Sequence, residues 1–264
     1  MTENKNEESG SSVGAGSQTL MRGLDILEAV SEEGLALAEL SERIGLAKST
    51  TYRLATALAD RGYLAYTPRA GYRLGAKLLQ LGAMAQAQID LIQVARDHLE
   101  RLSSSTGDTV HMGVLVDDQA LYLDKVPGRR RITISSRVGD RQPLSSTGLG
   151  KALMLDHPPA YWAERFDADQ KSGSHPVDPA LWRERMAGYV EAGRAFDLEE
   201  NEDQIRCVAA PIRDVAGKIV GAISVSSAAQ YMDDQRMVDL ATEVVDTAKA
   251  ISTELGWSPP KTRG

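Results

Sequence analysis

The chain has 264 residues, of which 42% are hydrophobic and 25% are charged, and its formal net charge is −7. At roughly 150 residues per domain this length predicts two domains, and the composition is typical of a globular protein. No run of about 18 apolar residues occurs, which argues against a membrane partner, and the polar N-terminal segment lacks the pattern of a secretory signal. A single cysteine, Cys207, excludes an internal disulfide, so we expect a cytoplasmic protein.

Basic residues are concentrated in one part of the chain. Between Arg43 and Lys77 there are seven Lys and Arg residues and one acid, Asp60, so this segment carries +6 and the rest carries −13. A basic island on an acidic protein indicates local contact with a polyanion, although a solvated surface would give the same count.

The N-terminal third has the pattern of a small helical domain with a hairpin. Residues 1–17 are polar and predict a disordered tail, and residues 18–75 predict three helices followed by two strands. The first helix has apolar residues at helical spacing: Leu20, Leu24, Leu27 and Val30. A second helix from Leu37 to Ile44 stops at Gly45, a third covers Lys48–Asp60, and the strands flank a turn at Pro68–Gly71.

This order of elements is that of a winged helix-turn-helix, whose recognition helix fits the major groove of DNA. The apolar inner face of the third helix comprises Thr51, Leu54, Ala55 and Leu58. The predicted DNA contacts are Lys48, Ser49, Thr50, Tyr52 and Arg53 on this helix, with Arg69 and Arg73 on the wing. The alternative is a generic three-helix core with scattered surface arginines.

The remainder predicts a linker helix over residues 76–90, a mixed α+β domain over 91–256 and a flexible tail over 257–264. Strands in meanders with helices around them favour an antiparallel sheet. The expected elements are a hairpin with one buried face around Asp117-Asp118, a strand at Ile132 and Ile134, a helix over Gly148–Leu155, a loop-rich stretch from Pro158 through Pro176 to Pro179, a helix over Leu181–Ala192, strands over Ile205–Arg213 and Lys218–Ser226, and a helix over Asp233–Leu255.

Several specific motifs occur in order along the two predicted domains. They are GLAKSTTYRL at residues 45–54, GYL at 62–64, PLSSTGLGKA at 143–152, FDLEENE at 196–202, IRCVAAPI at 205–212 and GAISVS at 221–226. With these motifs the chain resembles IclR-family bacterial transcription regulators over about residues 18–256. Ala47 stands where the family usually has Pro, and Thr51 where it usually has Val.

The resemblance implies a winged helix-turn-helix, a linker helix and a GAF-like α/β domain that binds a small-molecule carboxylate. It also implies a homodimer or homotetramer on a palindromic double-stranded DNA operator, controlling a catabolic operon, and no cofactor. The motifs are nearest to the KdgR-like sugar-acid branch, with regulators of aromatic-acid catabolism as the alternative. The matching effector-binding residues are Gly148, Leu149, Asp197, Cys207, Ser224 and Ser226.

The residues themselves support part of this transfer. Gly148–Gly150 begins a predicted helix, whose free N–H groups suit an anion, and Ser224 and Ser226 face one side of a predicted strand. Each of these residues also has an alternative to a binding role. The two serines could be exposed strand hydroxyls, Cys207 could be a buried structural residue, and Asp197 could cap a loop. An enzyme is disfavoured because the chain lacks a Gly-x-Ser-x-Gly elbow, a complete P-loop and His spacing for a metal. A ligand-independent DNA-binding protein is the other alternative.

Overall fold

The structure, a computed structural model, describes residues 15–30, 34–131, 134–171 and 177–259. It divides into two compact units between Ile89 and Asp90. Most of the predicted N-terminal tail, Ile132, Pro176 and residues 260–264 of the predicted C-terminal tail lie outside the described residues. Within the described ranges, no helix is long and apolar enough to span a bilayer.

The first unit contains the predicted three helices and hairpin. Its elements are α1 (Ala15–Ala29), α2 (Leu37–Arg43), α3 (Lys48–Asp60), β1 (Leu64–Thr67), β2 (Gly71–Leu74) and α4 (Ala76–Gln88). The strands β1 and β2 pair antiparallel, and an isolated bridge between Leu35 and Tyr72 of β2 ties the hairpin to the segment before α2. Gly71 (φ 76°) permits this close approach, because a Cβ there would lie 2.1 Å from the Leu35 carbonyl oxygen.

The core of this unit departs from the predicted first helix. Ile26 and Val30 are buried on α1, whereas Leu20 is 64% exposed and Leu24 is 42% exposed. The helical spacing that predicts α1 thus includes two exposed residues, because the helix turns Ile26 and Val30 towards the core of this unit. Leu79 and Met84 of α4 are likewise exposed.

The second unit is an α+β domain built around an antiparallel sheet, as predicted. Its elements are α5 (Leu91–Thr106), β3 (Thr109–Val116), β4 (Gln119–Val126), β5 (Arg141–Gln142), α6 (Gly148–Leu153), α7 (Pro159–Lys171), α8 (Pro179–Ala192), β6 (Ala195–Leu198), β7 (Ile205–Arg213), β8 (Ile219–Ala228) and α9 (Asp234–Glu254). The strand order is β5-β4-β3-β8-β7-β6.

Helices cover both faces of this sheet. Val208, Val225 and Met112 pack in the core that includes α5 and α9, whereas Ala209 and Ala222 pack on the other side with α6, α7 and α8. The β3–β4 hairpin was predicted to have one buried face, but Thr109–Gly113 is buried throughout. Because the polar positions of these strands are covered as well, their side chains need partners inside the domain.

Three other expectations for the second unit were wrong. The stretch predicted to be loop-rich contains α7, since a proline at the first helical position, Pro159, is compatible with a helix. The short strand β6 was not predicted, because four residues give little periodic signal. Ile134 is buried but lies outside any strand, and the edge strand is Arg141–Gln142 instead.

Candidate functional site

The outer face of α3 carries the side chains predicted to contact DNA. Thr51 and Ala55 are fully buried on the opposite face, which fixes the orientation of the helix. Thr51 stands where the family usually has the apolar residue Val. Its buried hydroxyl has a hydrogen-bond partner, because it donates to the Ala47 carbonyl at 3.2 Å. Of the predicted contacts, Lys48, Ser49, Tyr52 and Arg53 are exposed and Thr50 is half-buried.

The hairpin places its two arginines differently with respect to this helix. Arg69 lies at the turn with φ 73° and lines a groove of about 560 Å³ together with Tyr52 and Tyr66. Arg73 is exposed on β2 and donates from Nη2 to the Thr67 hydroxyl at 3.1 Å, away from that groove. The structure thus brings Tyr52 and Arg69 together, whereas Arg73 does not line this groove, and its contact with DNA stays a prediction.

The second unit contains a cavity of about 370 Å³ on the α6 side of its sheet. This volume lies in the range of small-molecule sites. The predicted residues that line the cavity are Asp197, Cys207 and Ser226. The other lining residues are His111, Tyr122, Ile134, Ser135, Ser136, Gln142, Pro143, Thr147, Asn201, Glu202 and Ile205.

Strand register explains why three of the predicted residues meet. Asp197 on β6 pairs with Cys207 on β7, and Cys207 pairs with Ser226 on β8. Directly paired residues of neighbouring strands point to the same face of a sheet. The carboxyl, thiol and hydroxyl groups therefore form one row across three strands, facing the cavity.

Gly148 contacts this row without lining the cavity. A Cβ at Gly148 would lie 2.4 Å from Cys207 Sγ and 3.2 Å from the Asp197 amide nitrogen, so only glycine allows α6 to begin here. The neighbouring Gly148 N–H and Ser226 hydroxyl favour the charged form of the thiol, but burial outweighs them. Burial raises the pKa of Cys207 to about 12, so this side chain is a neutral thiol.

Two other predicted effector residues also do not line the cavity. Leu149 is fully buried in the core that includes α6, and Ser224 is 1% exposed and pairs with His111 and Ala209. Leu149 is the second residue of a helix of only six residues, and the Thr147 hydroxyl accepts from the Gly150 N–H at 3.0 Å. Gly148, Leu149 and Ser224 therefore do not line the cavity, and their role in binding stays a prediction.

A group of buried charges lies next to Asp197. Lys151 is 1% exposed, donates from Nζ to the Phe196 carbonyl at 2.9 Å and forms an ion pair with Glu200. Glu200 also pairs with Arg185 at 2.8 Å, and its backbone N–H donates to the Asp197 carboxylate at 2.8 Å. Buried charges are tolerated when paired in this way, and here they form the floor beside the cavity.

Burial dominates the protonation of these groups. It raises the pKa of Asp197 to about 7, although the Lys151 charge acts in the opposite direction. It lowers the pKa of Lys151 to about 8, with the Asp197 charge opposing that shift. The charge at this end of the cavity therefore changes near neutral pH, which is unusual for a carboxyl group.

Sequence reasoning missed His111 and Tyr122, whose rings contact each other at a centroid distance of 4.9 Å. His111 lies between the buried residues Val110 and Met112, and this alternation was the available signal. It was not used because a hairpin with only one buried face would place His111 in solvent. Among the described residues, no group of His, Cys, Asp and Glu is arranged to hold a metal ion.

Family models match both units. The model described as the IclR helix-turn-helix domain matches residues 19–68. The model described as the bacterial transcriptional regulator IclR C-terminal matches residues 83–253. Together these matches cover the third helix with its predicted DNA contacts and the residues that line the cavity, whereas Arg69 and Arg73 of the wing lie between the two matched ranges.

Individual proteins are similar over nearly the whole chain. The DNA-binding transcriptional repressor YiaJ of Escherichia coli strain K12 is 35% identical over 92% of this chain and 90% of its own length. The HTH-type transcriptional regulator KdgR of the same organism is 30% identical over 90% and 93%. Among solved structures, Pseudomonas aeruginosa HmgR has a TM-score of 0.79 at 22% identity, covering 91% of this chain and 99% of its own, which shows the shared fold.

Proposed function

Because the chain belongs to the IclR family of bacterial transcriptional regulators, with a DNA-binding helix-turn-helix domain and a C-terminal effector domain, we propose that a small carboxylate controls its binding to an operator. The observation that carries the proposal is the row of Asp197, Cys207 and Ser226 facing a cavity of about 370 Å³. These groups suit a small polar anion better than an apolar ligand, because they are a hydroxyl donor, a neutral thiol and a carboxyl that titrates near neutral pH.

The effector we propose is a sugar acid. Ser226 can donate to a carboxylate, and Asp197 can accept a hydrogen bond from a hydroxyl of the same molecule. An aromatic acid is the second candidate, because Tyr122 and Ile134 offer apolar surface in the same cavity. Both candidates share the carboxylate and differ in their need for hydroxyl partners, so a comparison of the two ligand classes separates them.

We further propose that the protein acts as a homodimer or homotetramer on a palindromic operator. Half-sites of such operators lie about one helical turn apart, so a change in the spacing of two α3 helices alters affinity. The exposed apolar residues of α1 and α4, Leu20, Leu24, Leu79 and Met84, support an assembly in which they become buried. The regulated genes are proposed to form a catabolic operon for the effector.

The experiment has two parts that use the full-length chain. Footprinting on the promoters next to its own gene should reveal a palindromic site, and calorimetry with sugar acids and aromatic acids should identify the effector class. Light scattering should give the mass of a dimer or tetramer. A ligand-independent DNA-binding protein would give the footprint and no heat with either class of acid.

A further inference from the structure

The cavity has a second polar end, which none of the predicted effector residues occupies. It is formed by His111 on β3 and by Ser136, which follows the hairpin and lines the same cavity. His111 Nε2 and the Ser136 hydroxyl are 2.8 Å apart and share a hydrogen bond. Both ends of the cavity therefore carry hydrogen-bonding groups, and the second end is built from β3 and from the segment between β4 and β5.

His111 has an unused polar atom at this end. The side chain is 1% exposed, and its Nδ1 has no hydrogen-bond partner among the residues that the structure describes. Leaving a buried polar atom unpaired costs about 1–3 kcal/mol, so such atoms in native proteins usually have a ligand or water as partner. The imidazole also lines the cavity next to Ser136, so an effector hydroxyl bound at this end would lie beside both side chains.

The chemistry of this end is neutral. Burial, assisted by the Lys125 charge, lowers the pKa of His111 to about 3, so the imidazole offers one donor and one acceptor at physiological pH. Lys125 is already committed, since its Nζ donates to the Ile134 carbonyl at 2.7 Å and the Ser136 carbonyl at 2.6 Å. No Lys or Arg lines the cavity within the described part of the chain. Hydroxyl groups suit this end, and a second carboxylate does not.

Size and spacing favour an extended ligand. Cys207 and His111 lie two strands apart, on β7 and β3 with β8 between them, which corresponds to about 10 Å across the sheet. A volume of about 370 Å³ equals that of roughly twelve water molecules. A three-carbon keto acid would fill only a small part of this space.

Resting on the proposed effector role of this cavity, we propose that His111 and Ser136 recognise hydroxyl groups at the end of the effector far from Asp197. The effector class is then an extended polyhydroxy monocarboxylate, and His111 determines specificity within that class. The backbone contacts of Lys125 hold Ser136 in position for this task.

The test compares acids that differ only in their hydroxyl groups or far end. Calorimetry of the full-length chain would use D-gluconate and D-galactonate as sugar acids, hexanoate as the six-carbon acid without hydroxyls, and D-glucarate as the diacid. We expect the better sugar acid to bind at least about tenfold more tightly than hexanoate or glucarate, as loss of one or two hydrogen bonds implies.

Two variants separate specificity from folding. His111→Phe keeps a ring against Tyr122, and Ser136→Ala removes a hydroxyl from a half-buried position, so the second variant tests the idea even if the first unfolds. Each should weaken sugar-acid binding about tenfold and change hexanoate binding by less than about twofold. Ser104→Ala, at an exposed position on α5, is the matched control and should change neither.

The outcomes distinguish this inference from the proposed function. Equal affinity for hexanoate and the sugar acids, or equal losses of both in the variants, would overturn the role of His111 and Ser136 and leave the carboxylate effector standing. If none of the acids bound to a chain that still binds its operator, both the inference and the proposed effector class would be overturned.

Discussion

Arg53 is the side chain on α3 from which we expect the largest single contribution to operator recognition. It is exposed one turn after the start of a helix whose other face is fixed by buried Thr51 and Ala55. Arg53→Ala should weaken operator binding by about 1–3 kcal/mol and relax the preference at one base position per half-site. Competition binding with systematically altered operators would measure both effects.

A matched control removes the same charge elsewhere. Arg183 is exposed on α8 in the second unit, so Arg183→Ala should leave operator affinity and base preference unchanged. A wild-type binding profile for Arg53→Ala would show that the recognition surface lies on other residues.

Asp197 gives effector binding a pH dependence whose sign follows from its environment. Burial favours its neutral form up to about pH 7, and a bound carboxylate nearby favours that form further. Above about pH 7 binding must therefore take up a proton, so affinity should fall by up to about tenfold per pH unit, and below pH 6 it should level off. Loss of the Lys151 charge above about pH 8 acts in the same direction.

Calorimetry from pH 6 to pH 8.5, in two buffers of different ionisation enthalpy, would count this proton. Asp197→Asn cannot take it up, so its affinity should be nearly flat across the pH 7 region. A wild-type affinity that rises with pH would contradict the assignment of the effector carboxylate to this end of the cavity.

At the level of elements, the contact between α6 and β7 shapes the cavity. Gly148→Ala would place a Cβ against Cys207 Sγ, and overpacking of this kind costs about 1–3 kcal/mol of unfolding free energy. Because the sulfur is the closest atom, the same substitution in a Cys207→Ala background should cost clearly less. Urea denaturation of the four proteins of this double-mutant cycle measures the coupling.

Additive effects of the two substitutions would mean that α6 moves away from β7 instead of pressing on the sulfur. Gly188→Ala is a control for the loss of glycine itself, since a Cβ at this α8 position meets no atom within 4 Å. It should leave stability unchanged or raise it slightly, because alanine is the better helix former.

Local sequence signals predicted the long elements and missed those set by tertiary packing. Apolar periodicity identified α3, the β7–β8 pair and α9, because each buries one face over many residues. It could not show that Leu20 and Leu24 are exposed in the single chain. Apolar spacing along a helix does not tell which of its apolar residues contact the neighbouring helices. It also failed at β6, which exists because it pairs with β7.

The candidate site could be predicted where its strands follow each other in the chain or where a family motif covers its residues. The family resemblance supplied Asp197, Cys207 and Ser226, and the alternation of side chains independently indicated that Ser226 and Ser224 share one face of a strand. His111 comes from a strand about 100 residues earlier, and only the pairing of β3 with β8 brings it to the same cavity. Such long-range pairing leaves no local pattern in the sequence.

For the whole molecule, the charge distribution determines how the protein meets DNA. The net charge is −7, but the segment from Arg43 to Lys77 carries +6. Operator binding should therefore depend steeply on salt, with a loss of roughly a thousandfold between 50 and 200 mM if about six phosphates are contacted. Arg69→Ala should reduce the slope of log affinity against log salt by about one. A flat salt dependence would contradict a DNA-binding surface within this segment.

Fluorescence anisotropy of a labelled operator tests most directly whether the effector cavity is coupled to operator binding. The operator is held half-saturated with the full-length chain, and the best sugar acid is then titrated into the mixture. Wild type should change its operator occupancy as the acid is added. Ser226→Ala should bind the operator equally well without ligand but need about 5- to 150-fold more acid for the same change, because one donor to the carboxylate is lost. Operator occupancy that stays constant in the acid, or an identical response in Ser226→Ala, would contradict regulation through this cavity.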